Sequence, residues 1–147
     1  MDLIFTKRGG KFDELAVHRP GRASETIQCP KQGIIPHDMV HYAVESTLAH
    51  SGFLSLVRNG AAADLTTMGG DSEEAIERLV ETFQAEMWGG RVPAEELIAT
   101  YEHACDARGH GALPVAVADI DAIRLRLDEL TTQWSALAVN DAMTLSF

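Results

Sequence analysis

The fold is decided at the start of the chain, where residues 1–30 read MDLIFTKRGGKFDELAVHRPGRASETIQCP. Turn residues separate three runs that favour β-strands, at 3–6, 12–17 and 26–29. The first turn contains Gly9 and Gly10, and the second places Pro20 and Gly21 where a type II turn needs them. This segment therefore predicts a three-stranded antiparallel meander.

Helical patterns follow the meander. Pro36 suits the first turn of a helix over 36–49, with Gly52 near its C-terminal cap. After a short apolar segment at 53–57 and a loop at 61–70, a capping pattern begins a helix at Asp71, which ends at Gly89-Gly90. A further helix is predicted between Pro93 and Gly109.

The last helix is predicted over 119–137. Its apolar residues recur at alternating spacings of three and four: Ile120, Ile123, Leu127, Leu130, Trp134 and Leu137. We expect this seam to pack inside its own domain, and a homodimer seam is the alternative. Beyond it, Met143, Leu145 and Phe147 alternate with polar residues, which predicts a final strand that joins the N-terminal sheet.

These elements predict an α+β fold with a small antiparallel sheet covered by four or five helices, in a single domain over 1–147. The net charge is −10, from 22 acidic and 12 basic residues, which argues against nucleic acid or an anionic membrane as the main partner. The sequence has no membrane span or signal peptide pattern. Its two cysteines form no disulfide framework, so we expect a cytoplasmic protein with reduced thiols.

A cluster of ionisable residues begins the predicted helix at 36–49, where residues 36–45 read PHDMVHYAVE. At about 100° per residue, His37, Asp38, His41 and Glu45 share one stripe, and the apolar side chains share the opposite one. Two histidines four residues apart can direct ring nitrogens at one metal ion. We therefore predict that His37 and His41 are metal ligands.

The two carboxylates on the stripe are the candidate catalytic residues. Asp38 lies beside the first histidine, where it can orient or deprotonate a water molecule. Glu45 can accept a hydrogen bond from His41 or act as a third ligand, and we prefer the hydrogen bond because three ligands spread over eight residues converge poorly on one ion. A third ligand must otherwise come from later helices, where the candidates are Glu81, Glu86, Glu102, His103 and Asp106.

The same pattern has a purely structural interpretation. In it, the helix dipole favours Asp38, His41 and Glu45 form an ion pair, and Tyr42 is half-buried. Cys29 lies before Pro30 and reaches the histidines only if the strand end lies over the helix, so we expect a small buried residue there.

The run from Pro36 to Glu45 resembles the signature of a family of small bacterial proteins that has no agreed activity. His37 and His41 also match the H-E-x-x-H ligands of zincin metalloproteases, with Asp38 where zincins have the catalytic glutamate. The three residues together are similar to the H-D-x-x-H motif of a ubiquinone-biosynthesis protein family, in which a glutamate follows where Phe53 stands here.

The sequence thus predicts a metal-binding protein, with zinc as the first expectation and iron, manganese or nickel as alternatives. Metal-dependent hydrolysis of a small molecule or peptide is the activity that we expect of this site if it is catalytic. The alternative is a non-catalytic binding or assembly module, in which the polar stripe is structural and the seam of the last helix forms a homodimer.

Overall fold

A computed structural model describes residues 1–48, 52–63 and 70–147. Within these ranges, three strands come first, followed by five helices and a last strand. Along the chain these are β1 (Asp2–Thr6), β2 (Phe12–His18), β3 (Glu25–Pro30), α1 (His37–Leu48), α2 (Phe53–Arg58), α3 (Asp71–Gly89), α4 (Ala94–Ala107), α5 (Val117–Ala136) and β4 (Ala142–Ser146). The predicted α+β fold is confirmed.

The four strands form one antiparallel sheet in the order β3-β2-β1-β4. The predicted meander and the predicted return of the last strand are therefore both correct. Leu3 lies opposite Val17 on one side and Leu145 on the other. All three side chains belong to the core, because residues directly opposite each other on neighbouring strands point to the same face of the sheet. The sheet thus contributes one apolar face to the core.

Helix α1 lies at the centre of the helical layer, in contact with α2, α3 and α5. Its apolar side is fully buried, with Met39, Val40, Ala43 and Val44 at 0% exposure. His41 and Glu45 on the opposite, polar stripe are buried as well. This part of the stripe is therefore enclosed by the structure, whereas His37 at its start reaches solvent.

Helix α5 buries the seam that its spacing predicts. Ile120, Ile123, Leu127, Leu130 and Trp134 are all buried within the single chain. Leu137, the last residue of the predicted seam, is instead the half-buried C-cap, because the helix ends at Ala136. Lys7 caps the end of this helix, since its ammonium group donates hydrogen bonds to the carbonyl oxygens of Trp134 and Leu137. The helix is thereby fixed to the end of β1.

The structure corrects one boundary next to α1. Gly52 is the N-cap of α2, whereas its sequence context suggested the C-terminal end of the preceding helix. The apolar segment at 53–57 is the helix that Gly52 begins. The predicted end of α1 near residue 49 and most of the predicted loop at 61–70 lie outside the described residues.

Among the helices within the described residues, none combines the length and the apolar character that a membrane crossing requires.

The burial of the α5 seam predicts the cost of truncating it. Leu130 is 0% exposed, so Leu130→Ala should lower the free energy of unfolding by about 2–5 kcal/mol, because it leaves a cavity in the core. Leu125 lies on the same helix and is 61% exposed, so Leu125→Ala is the matched control and should change stability by less than about 0.5 kcal/mol. Urea denaturation measures both values. Equal losses in the two variants would contradict this packing.

Candidate metal centre

The first two turns of α1 bring the two predicted histidine ligands together. His37 and His41 lie four residues apart, so they share a helix face, and their ring centroids are 4.9 Å apart. Their surroundings differ, since the His37 side chain is 41% exposed and the His41 side chain is 2% exposed. One ring thus reaches solvent while the other lies in the interior.

A carboxylate from α3 faces both rings. One oxygen of Glu77 lies 2.7 Å from Nε2 of His41, and the other lies 3.2 Å from Nε2 of His37. One potential ligand atom from each of the three residues lies within 4.8 Å of the other two. Two imidazole nitrogens and a carboxylate oxygen are a common ligand set for transition metals. The three residues form a group that can hold a metal ion.

The remaining ring nitrogens have partners of their own. Nδ1 of His37 lies 2.9 Å from the amide oxygen of Gln84, and Nδ1 of His41 lies 3.0 Å from a carboxylate oxygen of Glu45. Metal-binding histidines usually bind an acceptor through the ring nitrogen that does not face the metal, and this contact orients the ring. Both Nε2 atoms are therefore held toward Glu77.

Glu45 lies where the preferred sequence prediction places it, beside His41. Its side chain is buried, and it also accepts hydrogen bonds from the first turn of α2. It does not belong to the group whose ligand atoms converge. Its position is that of a residue that orients His41.

The histidines and the carboxylates in and around this group shift one another's pKa values. Burial alone would lower the pKa of His41, but its hydrogen bonds with Glu45 and Glu77 outweigh that effect and raise the pKa to about 10. Burial alone would raise the pKa of Glu77, yet its hydrogen bonds with His37 and His41 hold that pKa well below its usual range. Without a metal, His41 is thus a protonated ring between two carboxylates.

Asp38 lies next to this group instead of within it. Its carboxylate is 3.8 Å from Sγ of Cys29, which shows that the end of β3 lies over the start of α1. Burial raises the pKa of Asp38, and the positive charges of His41 and His37 partly oppose this shift.

Burial and the Asp38 charge together raise the pKa of Cys29 to about 12, so its thiol stays protonated at neutral pH. Cys29 is buried, as expected.

The sequence did not identify Glu77. Among the candidates that it offered, Glu81 forms an ion pair with Arg78, and Glu86 forms one with Arg124. The α4 candidates Glu102, His103 and Asp106 are not in the converging group either. A weak signal exists, since Glu77 and Gln84 are seven residues apart and border the apolar face of α3. That signal indicates a polar stripe but not the element it faces.

Comparison of the chain with protein-family profiles, curated proteins and solved structures finds no match. The resemblances of the α1 motif to zincins, to the ubiquinone-biosynthesis family and to the small bacterial family therefore stay predictions.

The raised pKa of His41 predicts how stability depends on pH in the presence of a chelator. The protonated ring stabilises the fold fully below its unfolded pKa of 6.5, and this contribution is lost as the pH rises to about 10. Wild type should therefore lose stability relative to His41→Gln between about pH 6.5 and 10, as measured by urea unfolding. A constant difference over that range would contradict the protonated state of His41.

Proposed function

We propose that this protein binds one divalent transition metal ion through Nε2 of His37, Nε2 of His41 and the carboxylate of Glu77. The observation that carries the proposal is the convergence of these ligand atoms from two helices within 4.8 Å. Both rings direct Nε2 at the same carboxylate, because Gln84 and Glu45 engage their Nδ1 atoms. Surface clusters of acidic residues lack this fixed orientation.

Zinc is the first expectation for two imidazoles and a carboxylate, and iron, manganese and nickel accept the same ligands. Catalytic zinc sites typically have three protein ligands and one open position, whereas structural sites have four protein ligands. The Glu77 and His37 side chains are 31% and 41% exposed, so one side of the group is open to solvent. This combination favours a catalytic site over a structural one.

We extend the proposal to metal-dependent hydrolysis of a small molecule or peptide. When bound, the ion would polarise a substrate carbonyl or phosphoryl group. Asp38 follows His37 directly, and its charge interacts with those of His37, His41 and Glu77. Because Glu77 is a proposed ligand and Glu45 faces Nδ1 of His41, we assign to the neighbouring carboxylate of Asp38 the role of taking a proton from an attacking water molecule.

The thiols of Cys29 and Cys105 are free and buried, as expected of a protein in a reducing compartment. We therefore propose that the protein is cytoplasmic.

A second candidate function is a non-catalytic binding or assembly module. It is favoured by the observation that His41 forms a satisfied ion network with Glu45 and Glu77 when no metal is bound. In that case the network fixes how α1, α2 and α3 pack, and the chain acts through its surface, including as a homodimer. Metal content separates the two candidates.

The metal site predicts near-stoichiometric metal in protein purified without a histidine tag. Elemental analysis should find it in wild type and find little in His37→Ala, His41→Ala or Glu77→Gln, because each change removes one ligand. Glu81→Gln is the matched control, since Glu81 is one turn further along α3 and pairs with Arg78. It should retain the metal.

Thermal unfolding gives a second measure of the same site. Added zinc should raise the melting temperature of chelator-treated wild type, because a ligand that binds only the folded state stabilises it. It should have little effect on Glu77→Gln. If wild type contains no metal and zinc leaves its melting temperature unchanged, the metal site is wrong and the assembly module takes its place.

The role of Asp38 is tested separately from metal binding. Asp38→Asn keeps the size of the side chain but removes its basicity, so the variant should retain the metal and lose at least about 100-fold of any hydrolytic rate found on a substrate panel. Rate and metal content are measured on the same preparation. Loss of the metal in Asp38→Asn would instead make Asp38 a ligand.

A further inference from the structure

The carboxylate of Glu45 is the meeting point of α1 and α2. One of its oxygens lies 2.9 Å from the Gly52 amide, 3.0 Å from the Ser55 amide and 2.9 Å from the Ser55 hydroxyl. The other oxygen lies 3.1 Å from the Leu54 amide and 3.0 Å from Nδ1 of His41. The Glu45 side chain is 0% exposed, so water does not compete for these positions.

The hydrogen bonds of Glu45 determine which nitrogen carries the single proton when the His41 ring is neutral, as it must be to bind a metal ion. Backbone amides can only donate, so both carboxylate oxygens act as acceptors toward α2. Nδ1 of His41 faces an oxygen that already accepts the Leu54 amide proton, and it must therefore be a donor as well. A neutral histidine with a proton on Nδ1 has its lone pair on Nε2, the atom that faces Glu77.

Because Gly52 has no side chain, there is room beside it for the Glu45 carboxylate. A Cβ atom at Gly52 would lie 2.6 Å from Cδ of Glu45 and 2.6 Å from Cγ2 of Ile76. The backbone φ of Gly52 is −135°, a value that alanine adopts readily, so the close approach and not the backbone conformation requires glycine. Any side chain here would push the carboxylate away from its donors.

We infer that Glu45 is a positioning residue that, held by the first turn of α2, fixes His41 as the tautomer able to bind metal through Nε2. The inference rests on the proposed metal site and goes beyond it, since it makes Gly52 and α2 part of the ligand geometry although neither touches the ion. It also assigns Glu45 an orienting role instead of the alternative role of third ligand.

Two variants test this role without removing a ligand. Glu45→Gln leaves one acceptor oxygen and places an NH₂ group among donors, and Gly52→Ala displaces the carboxylate. Both should weaken zinc binding about 10–100-fold in competition with a chromogenic chelator, the usual effect of losing a residue that orients a ligand. The matched controls are Glu81→Gln and Gly89→Ala, because a Cβ at Gly89 would meet nothing within 4 Å. Both controls should bind zinc as wild type does.

A spectroscopic measurement separates orientation from general loss of stability. In zinc-loaded wild type, long-range ¹H–¹⁵N NMR of the imidazoles should show His41 with a proton on Nδ1 and no proton on Nε2. In Gly52→Ala the His41 pattern should shift or broaden, while His37, whose Nδ1 faces Gln84, should keep its own pattern. A purely structural role for Glu45 would not change one ring selectively.

The outcomes distinguish this inference from the proposed function. If wild type binds no zinc, the metal site fails and the inference fails with it. If wild type binds zinc and both folded variants bind it equally tightly with an unchanged His41 spectrum, the metal site stands and the role of Glu45 is overturned. If circular dichroism shows that Glu45→Gln does not fold, Gly52→Ala decides the result by the same two measurements.

Discussion

The carboxylate of Glu45 is buried inside the protein, and the surrounding backbone and side chains supply the hydrogen-bond donors that it needs. Burying an unpaired carboxylate is very costly, so such a group must find donors. Here the donors are the first turn of α2, the Ser55 hydroxyl and the ring of His41. Because α2 begins at this carboxylate, its start is tied to the polar stripe of α1. The orientation of His41 toward Glu77 follows from the same contacts.

The centre formed by His37, His41 and Glu77 can hold either protons or a metal ion. Without metal, the carboxylates of Glu45 and Glu77 stabilise the protonated His41 ring, which is why its pKa is raised to about 10 despite burial. A metal ion binds deprotonated imidazole and carboxylate, so metal binding must release protons and becomes weaker as the pH falls. The protonated network and the proposed metal complex would use the same three side chains but not the same contacts, because an ion would replace the direct contact between Nε2 of His41 and the Glu77 carboxylate.

Local patterns in the sequence were sufficient to predict much of the fold. Alternation in the strands, the glycine and proline turns and the apolar spacing of α5 indicated the elements and which faces are buried. The same helical periodicity placed His37, His41 and Glu45 on one stripe, because residues four apart on a helix share a face whatever surrounds them. The boundary at Gly52 was wrong, since a glycine suits either end of a helix and only its contact with Glu45 shows which end it forms.

The sequence by itself determined that the two histidines and the adjacent carboxylates share one face of a helix, because this follows from the helical period. The strand and helix periodicities likewise determined the four-stranded α+β architecture. Only the tertiary structure decided that Glu77 is the third member of the centre. Between His41 and Glu77 the chain completes α1, forms the whole of α2 and begins α3, and the pair meets only because α1 packs against α3. Helix packing sets the rotation of α3 about its axis, and that rotation brings Glu77 onto the histidines while Glu81, one turn away, pairs with Arg78. No local pattern encodes this rotation, because it depends on side chains from several elements at once.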